Sequence, residues 1–172
     1  RIIEQLRTNG HLKNTYVIFT SDHGLAVGSH GLMGKQNMYE HTIRVPLIIA
    51  GPGIPKAKRS NALCYLRDLY PTICELAGVS TPKSVEGRSL LPVISGKKKN
   101  VYEEVYGYFR DKQRMVRNKR FKLIHYPHLD RYQLFDLSED PQELHDLSED
   151  SAHQATLAGM RGKMEKWFRD QE

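Results

Sequence analysis

Two short runs of consecutive apolar residues occur in the first third of the chain, TYVIF at 15–19 and VPLII at 45–49. Continuous apolar runs of this length, rich in β-branched residues, are typical of strands covered on both faces in a parallel or mixed sheet. Turn-forming residues follow each run, SDHG at 21–24 and GPG at 51–53. The pattern predicts two buried strands of an α/β sheet, each ending in a turn.

The periodicity becomes helical between residues 66 and 77. Apolar residues recur there at helical spacing, at Leu66, Leu69, Ile73, Leu76 and Ala77. Pro71 is acceptable near a first turn, and Gly78 stands where a helix C-cap belongs. We expect one amphipathic helix that packs on the sheet.

Beyond a polar linker at 95–100, the chain changes to short aromatic-rich segments. The segments 114–117, 120–126 and 131–137 are separated by turn residues. This pattern predicts antiparallel strands with one face in solvent.

A final helix is predicted near the end of the chain. The sequence DPQE at 140–143 has the form of a helix-start box. The helical face carries Leu157, Met160, Met164, Trp167 and Phe168, and we expect it to dock on the rest of the fold.

These elements predict the α/β fold class in two parts. We expect residues 1–96 to form an α/β region with a mixed or parallel sheet. Residues 97–172 form a small antiparallel subdomain with a C-terminal helix. The chain begins at Arg1 rather than methionine, so we expect it to be a segment of a longer protein.

The composition argues against a nucleic-acid-binding motif and against a membrane span. The formal net charge is +6, but the basic residues lie in separate runs at 56–59, 97–99 and 117–120. Separate runs favour solvated faces over a nucleic-acid motif, and no apolar run approaches the roughly 20 residues of a membrane span. Cys64 and Cys74 match neither a redox nor a zinc motif, and we expect both to be core or half-buried thiols.

Asp22 and His23 follow the first predicted strand, where ligands gather in open α/β sheets. A carboxylate suits Ca²⁺ or Mg²⁺, whereas an imidazole nitrogen suits softer ions or a hydrogen bond to substrate. The alternative is a turn in which Asp22 caps a backbone amide and His23 faces water.

Lys35 follows Asp22 and His23 after a glycine-rich loop that can fold back on itself. An ammonium at that corner would bind a tetrahedral oxyanion and stabilise charge on a leaving oxygen. His30 and His41 flank the loop, and each either contacts substrate or packs. The alternative for Lys35 is an ordinary surface lysine.

A series of motifs in one order carries a family resemblance. The motifs are TYVIFTSDHG at 15–24, GK at 34–35, YE at 39–40, IRVPLI at 43–48, DLYPT at 68–72, LAG at 76–78, GRSL at 87–90, KLI at 122–124, LFDL at 134–137 and DPQE at 140–143. Together they resemble the C-terminal portion of type I, arylsulfatase-like sulfatases of the alkaline phosphatase superfamily. The resemblance implies that Asp22 and His23 are ligands of a Ca²⁺ that holds the sulfate, and that Lys35 contacts the sulfate.

The same resemblance identifies what this chain lacks. The family's nucleophile is a formylglycine made from the first residue of a Cys/Ser-x-Pro-x-Arg motif, and no such motif occurs here. Two ligands also fall short of the six to eight that Ca²⁺ takes. We therefore expect this segment to be inactive alone and to bind Ca²⁺ weakly or not at all.

The resemblance implies a parent that hydrolyses sulfate esters, with a sulfated glycan as the favoured substrate, and that is exported to the periplasm, the lysosome or the outside of the cell. The expected partners are the missing N-terminal half of the catalytic domain and a second copy, through exposed sheet surface. Two alternatives stay open: a phosphoester or phosphonate hydrolase of the same superfamily, and a non-catalytic glycan-binding or interaction module.

Overall fold

The computed structural model describes residues 1–171. The helices are α1 Ile2–Thr8, α2 Glu40–Ile43, α3 Leu69–Leu76, α4 Leu91–Ile94 and α5 Gln154–Arg169. The strands are β1 Val17–Thr20, β2 Ala26–Val27, β3 Met33–Gly34, β4 Leu47–Ala50, β5 Val105–Phe109, β6 Gln113–Arg117, β7 Phe121–Tyr126 and β8 Arg131–Asp136. Within the described range, every helix is too short or too polar to cross a membrane.

Residue contacts divide the chain into two compact units. The first unit contains residues 1–22 and 45–101, and the second contains residues 23–44 and the chain from 102 onward. Residues 23–44 therefore belong to the same compact unit as the C-terminal part of the chain. The division into domains at 1–96 and 97–172 remains a prediction.

In the first unit, β1 and β4 form a two-stranded antiparallel sheet. Phe19 lies opposite Ile48 in the register, and each side chain is 60% exposed. The predicted strands are present, but the expectation that both of their faces are covered is not met, because the side chains of Phe19 and Ile48 are largely exposed within residues 1–171.

Helix α3 exists, but only part of its predicted face is packed. Leu69 and Leu76 are half-buried, whereas Leu66, Ile73 and Ala77 are exposed. Thr72 is fully buried, whereas Ile73 is 48% exposed. The Thr72 hydroxyl donates to the Asp68 carbonyl at 2.6 Å and accepts from the Leu90 amide at 2.9 Å. The Asp68 carboxylate accepts from the Tyr65 amide at 2.7 Å. Hydrogen bonds to polar side chains, which periodicity does not report, therefore determine the packed face.

Both cysteines are free thiols. Cys74 is half-buried as expected, but Cys64 is exposed, so the expectation of a core or half-buried position is wrong for Cys64. Cys64 precedes the turn that leads into α3, outside any regular element.

The second unit contains a four-stranded antiparallel sheet in the order β5-β6-β7-β8. Three of these strands match the predicted segments closely, and β5 was not anticipated. Gly107 interrupts the apolar alternation of β5, which weakens its signal.

Both faces of this sheet are covered, so the prediction of one face in solvent is wrong. On one face Met115, Ile124 and Phe135 pack with Met38 and Tyr39. On the other face Val116, Leu123 and Leu134 pack against Met160 and Met164 of α5. Adjacent residues of each strand are therefore buried on opposite sides, which explains the near-continuous apolar character of β6 to β8.

The docking role of α5 is confirmed, but its predicted start is wrong. The segment at 140–143 forms turns rather than a helix. Asp150 supplies a cap instead, because its carboxylate accepts from the Ala152 amide at 2.9 Å, just before α5 begins at Gln154. Glu143 has a φ of +60° and a buried side chain, and this side chain has a different role, in the site described next.

Candidate active site

Asp22 is exposed and comes two residues after the end of β1. The Ser21 hydroxyl lies 3.4 Å from Asp22 Oδ1. A carboxylate in this place is accessible to a ligand. Asp22 is the last residue of the first unit's opening segment, and His23 is the first residue of the second unit.

His23 and Lys35 are brought together within the second unit. Lys35 Nζ lies 2.9 Å from His23 Nε2, and His23 Nδ1 lies 2.9 Å from the Gly24 carbonyl oxygen. A carbonyl only accepts and an ammonium only donates, so this bonding assigns the proton to Nδ1 and leaves the Nε2 lone pair facing a positive charge. The loop at 24–34 therefore folds back as expected.

The His23 arrangement fits a cation ligand. Histidines that bind metals commonly donate their other ring N–H to a backbone carbonyl, as Nδ1 does here toward Gly24. The other ring nitrogen, Nε2, would be the atom that binds a cation, and it faces the Lys35 ammonium here. No cluster of three or more His, Cys, Asp or Glu side chains within residues 1–171 could hold a metal ion. The bonding of the His23 ring is compatible with a cation ligand, and the assignment of Asp22 and His23 as metal ligands remains a prediction.

Gly24 holds the His23 turn close to helix α2. The Gly24 amide donates to the Thr42 carbonyl at 2.8 Å. A Cβ at position 24 would lie 2.0 Å from the His41 carbonyl oxygen, so no other residue fits without a backbone shift. The position of His23 thus depends on the position of α2.

Helix α2 is anchored by a buried cluster of charges that the sequence did not reveal. Lys122 Nζ lies 2.8 Å from Glu40 Oε1 and 2.7 Å from Glu143 Oε1, and it also donates to the Met38 carbonyl at 3.0 Å. The Glu40 amide donates to Glu143 at 2.6 Å, and Arg117 Nε donates to Glu40 at 3.0 Å. Lys122 is fully buried, so a charged side chain lies in the centre of the second unit.

The two carboxylates of this cluster differ in acidity. Burial raises the pKa of Glu40, but the Lys122 ammonium and the Arg117 guanidinium outweigh it and hold that pKa below its ordinary value. Burial dominates at Glu143 and raises its pKa. Glu143 is therefore the first of the pair to accept a proton as the pH falls.

His30 and His41 lie in a stack of rings with Tyr39. The His30 ring is 3.9 Å from Tyr39 and 5.5 Å from His41. His30 Nε2 donates to the Gln142 carbonyl at 3.0 Å, and His41 Nε2 is buried with no hydrogen-bond partner in the described chain. Burial, and then the nearby His30 and Lys122, lower the pKa of His41. The contact of either histidine with substrate remains a prediction.

A cavity of about 370 Å³ opens beside Lys35. Its lining consists of residues 32–37 and Gln113. Gln113 Oε1 is buried without a hydrogen-bond partner in residues 1–171, and Asn37 is buried with its Oδ1 bonded to the Tyr39 amide. The sequence carried no signal for Gln113, because its place at the start of β6 is set by strand pairing.

Several known proteins are similar to this chain in sequence. Residues 28–170 match the family described as N-sulphoglucosamine sulphohydrolase, C-terminal. An N-acetylglucosamine-6-O-sulfatase of Bacteroides thetaiotaomicron is 32% identical over 100% of this chain and 34% of its own length. An extracellular sulfatase SULF-1 homolog of Drosophila melanogaster is 41% identical over 59% of this chain and 9% of its own length.

Solved structures of a sulfatase and of a phosphonate hydrolase also superpose on this chain. A 2-O glycosaminoglycan sulfatase superposes with a TM-score of 0.86 at 30% identity, over 98% of this chain and 39% of its own. The phosphonate monoester hydrolase of Agrobacterium radiobacter superposes with a TM-score of 0.81 at 25% identity, over 99% of this chain and 38% of its own. The chain spans about a third of the length of the curated sulfatase from Bacteroides thetaiotaomicron. The family match and the full coverage of the chain show that it belongs to the sulfatases, as a C-terminal portion with the alkaline-phosphatase-like fold.

Proposed function

We propose that this chain forms part of an enzyme that hydrolyses sulfate esters of a glycan, and that it supplies one side of the sulfate site. The observation that carries the proposal is the Lys35 ammonium, which contacts His23 Nε2 and borders the cavity. Relatives named as sulfatases of N-acetylglucosamine and of glycosaminoglycans support a glycan substrate.

In this proposal Lys35 binds a sulfate oxygen and stabilises the negative charge that develops as the sulfur–oxygen bond to the alcohol breaks. Asp22 and His23, consecutive in the chain, would hold a divalent cation, with Ca²⁺ expected from the family. That cation would supply positive charge to the sulfate oxygens when bound. The His23 lone pair serves either Lys35 or a cation, so cation binding leaves Lys35 free for the sulfate.

The nucleophile would come from outside this chain. Cys64 and Cys74 lie outside any Cys-x-Pro-x-Arg sequence, so the formylglycine expected for the family belongs to another part of the parent protein. We therefore propose that the isolated chain has no sulfatase activity. The parent is proposed to be exported, which agrees with an extracellular sulfatase among its relatives.

The cavity is proposed to hold the sugar that carries the sulfate. Apart from Lys35, its polar lining is uncharged, at Gln36, Asn37 and Gln113. Sugar hydroxyls both donate and accept hydrogen bonds, and the unpartnered Gln113 Oε1 is an acceptor for one of them. The cavity volume is within the range of small-molecule sites.

The test uses the parent protein with its nucleophile intact, assayed with an aryl sulfate and with an aryl phosphonate ester. Lys35→Ala should lower kcat/KM for the aryl sulfate by about 100-fold or more, because it removes a charge contact to the reacting group. The control Lys119→Ala removes an exposed lysine of the same unit and should leave turnover unchanged. Equal turnover in Lys35→Ala and the control would refute the role of Lys35.

A second candidate, a phosphonate or phosphoester hydrolase, is favoured by the structural neighbour of that activity. A lysine beside a metal site binds either tetrahedral anion, so the residues of this chain fit both. Preference of the parent for the aryl phosphonate ester over the aryl sulfate would select this second candidate.

A further inference from the structure

The first unit carries two exposed basic runs that lie far apart in the sequence. One run contains Lys56, Lys58 and Arg59, and the other contains Lys97, Lys98 and Lys99. The fold brings them together, because Lys58 Nζ donates to the Ile94 carbonyl at 3.2 Å, three residues before Lys97. We refer to these six residues as the basic patch.

The contact between the two runs is built into the end of helix α4. Lys58 donates to a carbonyl of the last turn, where helices favour a positive charge. Gly96 has a φ of +84°, and a Cβ there would lie 3.1 Å from Lys58 Nζ. The Lys98 amide donates to the Pro92 carbonyl at 2.9 Å, so the second run folds back on α4.

The charge of the basic patch is not compensated by acidic partners. None of its six side chains forms an ion pair within residues 1–171, and each residue is exposed. Some exposed cations elsewhere are paired, such as Arg67 with Glu86 and Lys163 with Glu104. Others, such as Lys119, form no ion pair within residues 1–171, and no hydrogen bond joins Lys119 to a second basic run.

The excess positive charge of the chain belongs to the first unit. That unit contains 12 Lys and Arg against 5 Asp and Glu, whereas the second unit contains 14 Lys and Arg against 15 Asp and Glu. Six of the 12 cations of the first unit belong to the basic patch. A concentrated uncompensated patch attracts polyanions over distances near the Debye length.

We propose that the basic patch binds the chain of a sulfated glycan, as a binding site in addition to the cavity beside Lys35. The proposal rests on the proposed function, which supplies the class of polyanion. Lysine ammoniums bind sulfate groups as point charges without a fixed geometry. The segments 55–60 and 94–100 contain no aromatic residue, so they lack the stacking surface typical of single-stranded nucleic-acid sites.

The probe is heparin, titrated calorimetrically into this chain at low ionic strength and then at increasing salt. The triple variant Lys97→Gln/Lys98→Gln/Lys99→Gln should weaken binding by roughly tenfold, since each exposed charge contact contributes only modestly to affinity. Its salt dependence should also become less steep, because fewer ions are exchanged on binding.

The matched control Lys13→Gln/Lys112→Gln/Lys119→Gln removes the same charge from exposed lysines outside the patch and should bind heparin nearly as tightly as the unmodified chain. Equal weakening in the two triple variants would overturn the proposal, because it would reduce the effect to net charge. Tighter binding of a single-stranded RNA than of heparin would overturn the choice of a glycan.

This test is separate from the test of the proposed function. Lys35→Ala should leave heparin binding by the basic patch within about twofold of the unmodified chain. If heparin binding depends on the patch but Lys35→Ala leaves sulfate ester turnover unchanged in the parent, the role of Lys35 fails while the patch stands. If instead Lys35→Ala lowers sulfate ester turnover in the parent but heparin binding does not depend on the patch, the patch is refuted and the sulfate site stands.

Discussion

The two β-sheet regions of this chain differ in how they are covered. The β5–β8 sheet is packed on both faces by residues of its own unit, and its central side chains are fully buried. The β1–β4 pair exposes Phe19 and Ile48, which are cross-strand neighbours. The second unit therefore contains a complete core, whereas the first unit presents an apolar surface of the kind that marks a contact with other protein.

The two units also differ in where they keep their charges. The second unit buries Lys122 between Glu40 and Glu143, and this cluster anchors the helix on which the His23 turn rests. The first unit places its uncompensated cations on the surface. The buried charges of the second unit thus hold helix α2 in place, whereas the exposed cations of the first unit remain available to bind an anion.

The largest expected effect comes from breaking the buried charge cluster. Lys122→Met should lower the free energy of unfolding by about 3–5 kcal/mol, because it leaves two buried carboxylates without their ammonium partner. Urea denaturation measures this change. Lys119→Met, at an exposed position of the same hairpin, should change stability by less than about 0.5 kcal/mol.

The additional variant Glu40→Gln/Glu143→Gln/Lys122→Met removes all three charges together. It should be more stable than Lys122→Met alone if the cost arises from unpaired charge. A loss of under about 1 kcal/mol in Lys122→Met would show that the cluster does not anchor the second unit.

A smaller effect is expected at the His23 turn. Gly24→Ala should destabilise the chain by about 2–3 kcal/mol, because its methyl group would collide with the His41 carbonyl. Gly159→Ala is the control, since a Cβ there meets nothing within 4 Å and alanine favours the helix. Thermal denaturation compares the two, and a stabilised Gly24→Ala chain would contradict the contact.

The smallest effect concerns the exposed surface of the first unit. If the β1–β4 face mediates self-association, Phe19→Ser/Ile48→Ser should weaken dimerisation by about 2 kcal/mol, or roughly thirtyfold, with little change in stability. Sedimentation equilibrium measures the dissociation constant. Leu129→Ser removes a side chain that is 73% exposed in the second unit and serves as the control. A chain that stays monomeric over a wide concentration range would refute self-association.

Local sequence signals were sufficient for much of the fold. Strands β1, β4, β6, β7 and β8 and helix α3 lie close to their predicted positions, because hydrophobic periodicity and turn residues act over a few neighbouring positions. Helix α5 carries the predicted apolar face but begins at Gln154 rather than near residue 140. The same signals predicted that Ile73 of α3 is packed, although it is 48% exposed. They also predicted that one face of the β5–β8 sheet lies in solvent, although both faces are covered. Burial depends on what covers an element, and local periodicity does not contain that information.

The amino-acid sequence was enough to identify the family, most of the elements and the candidate site residues, since motifs such as SDHG and GK are contiguous and recognisable. The contact of Lys35 with His23, the close approach of Gly24 to α2 and the burial of Lys122 between two glutamates become visible only in the folded chain. Those contacts join residues distant in sequence, and their free energy depends on desolvation, which the fold alone sets.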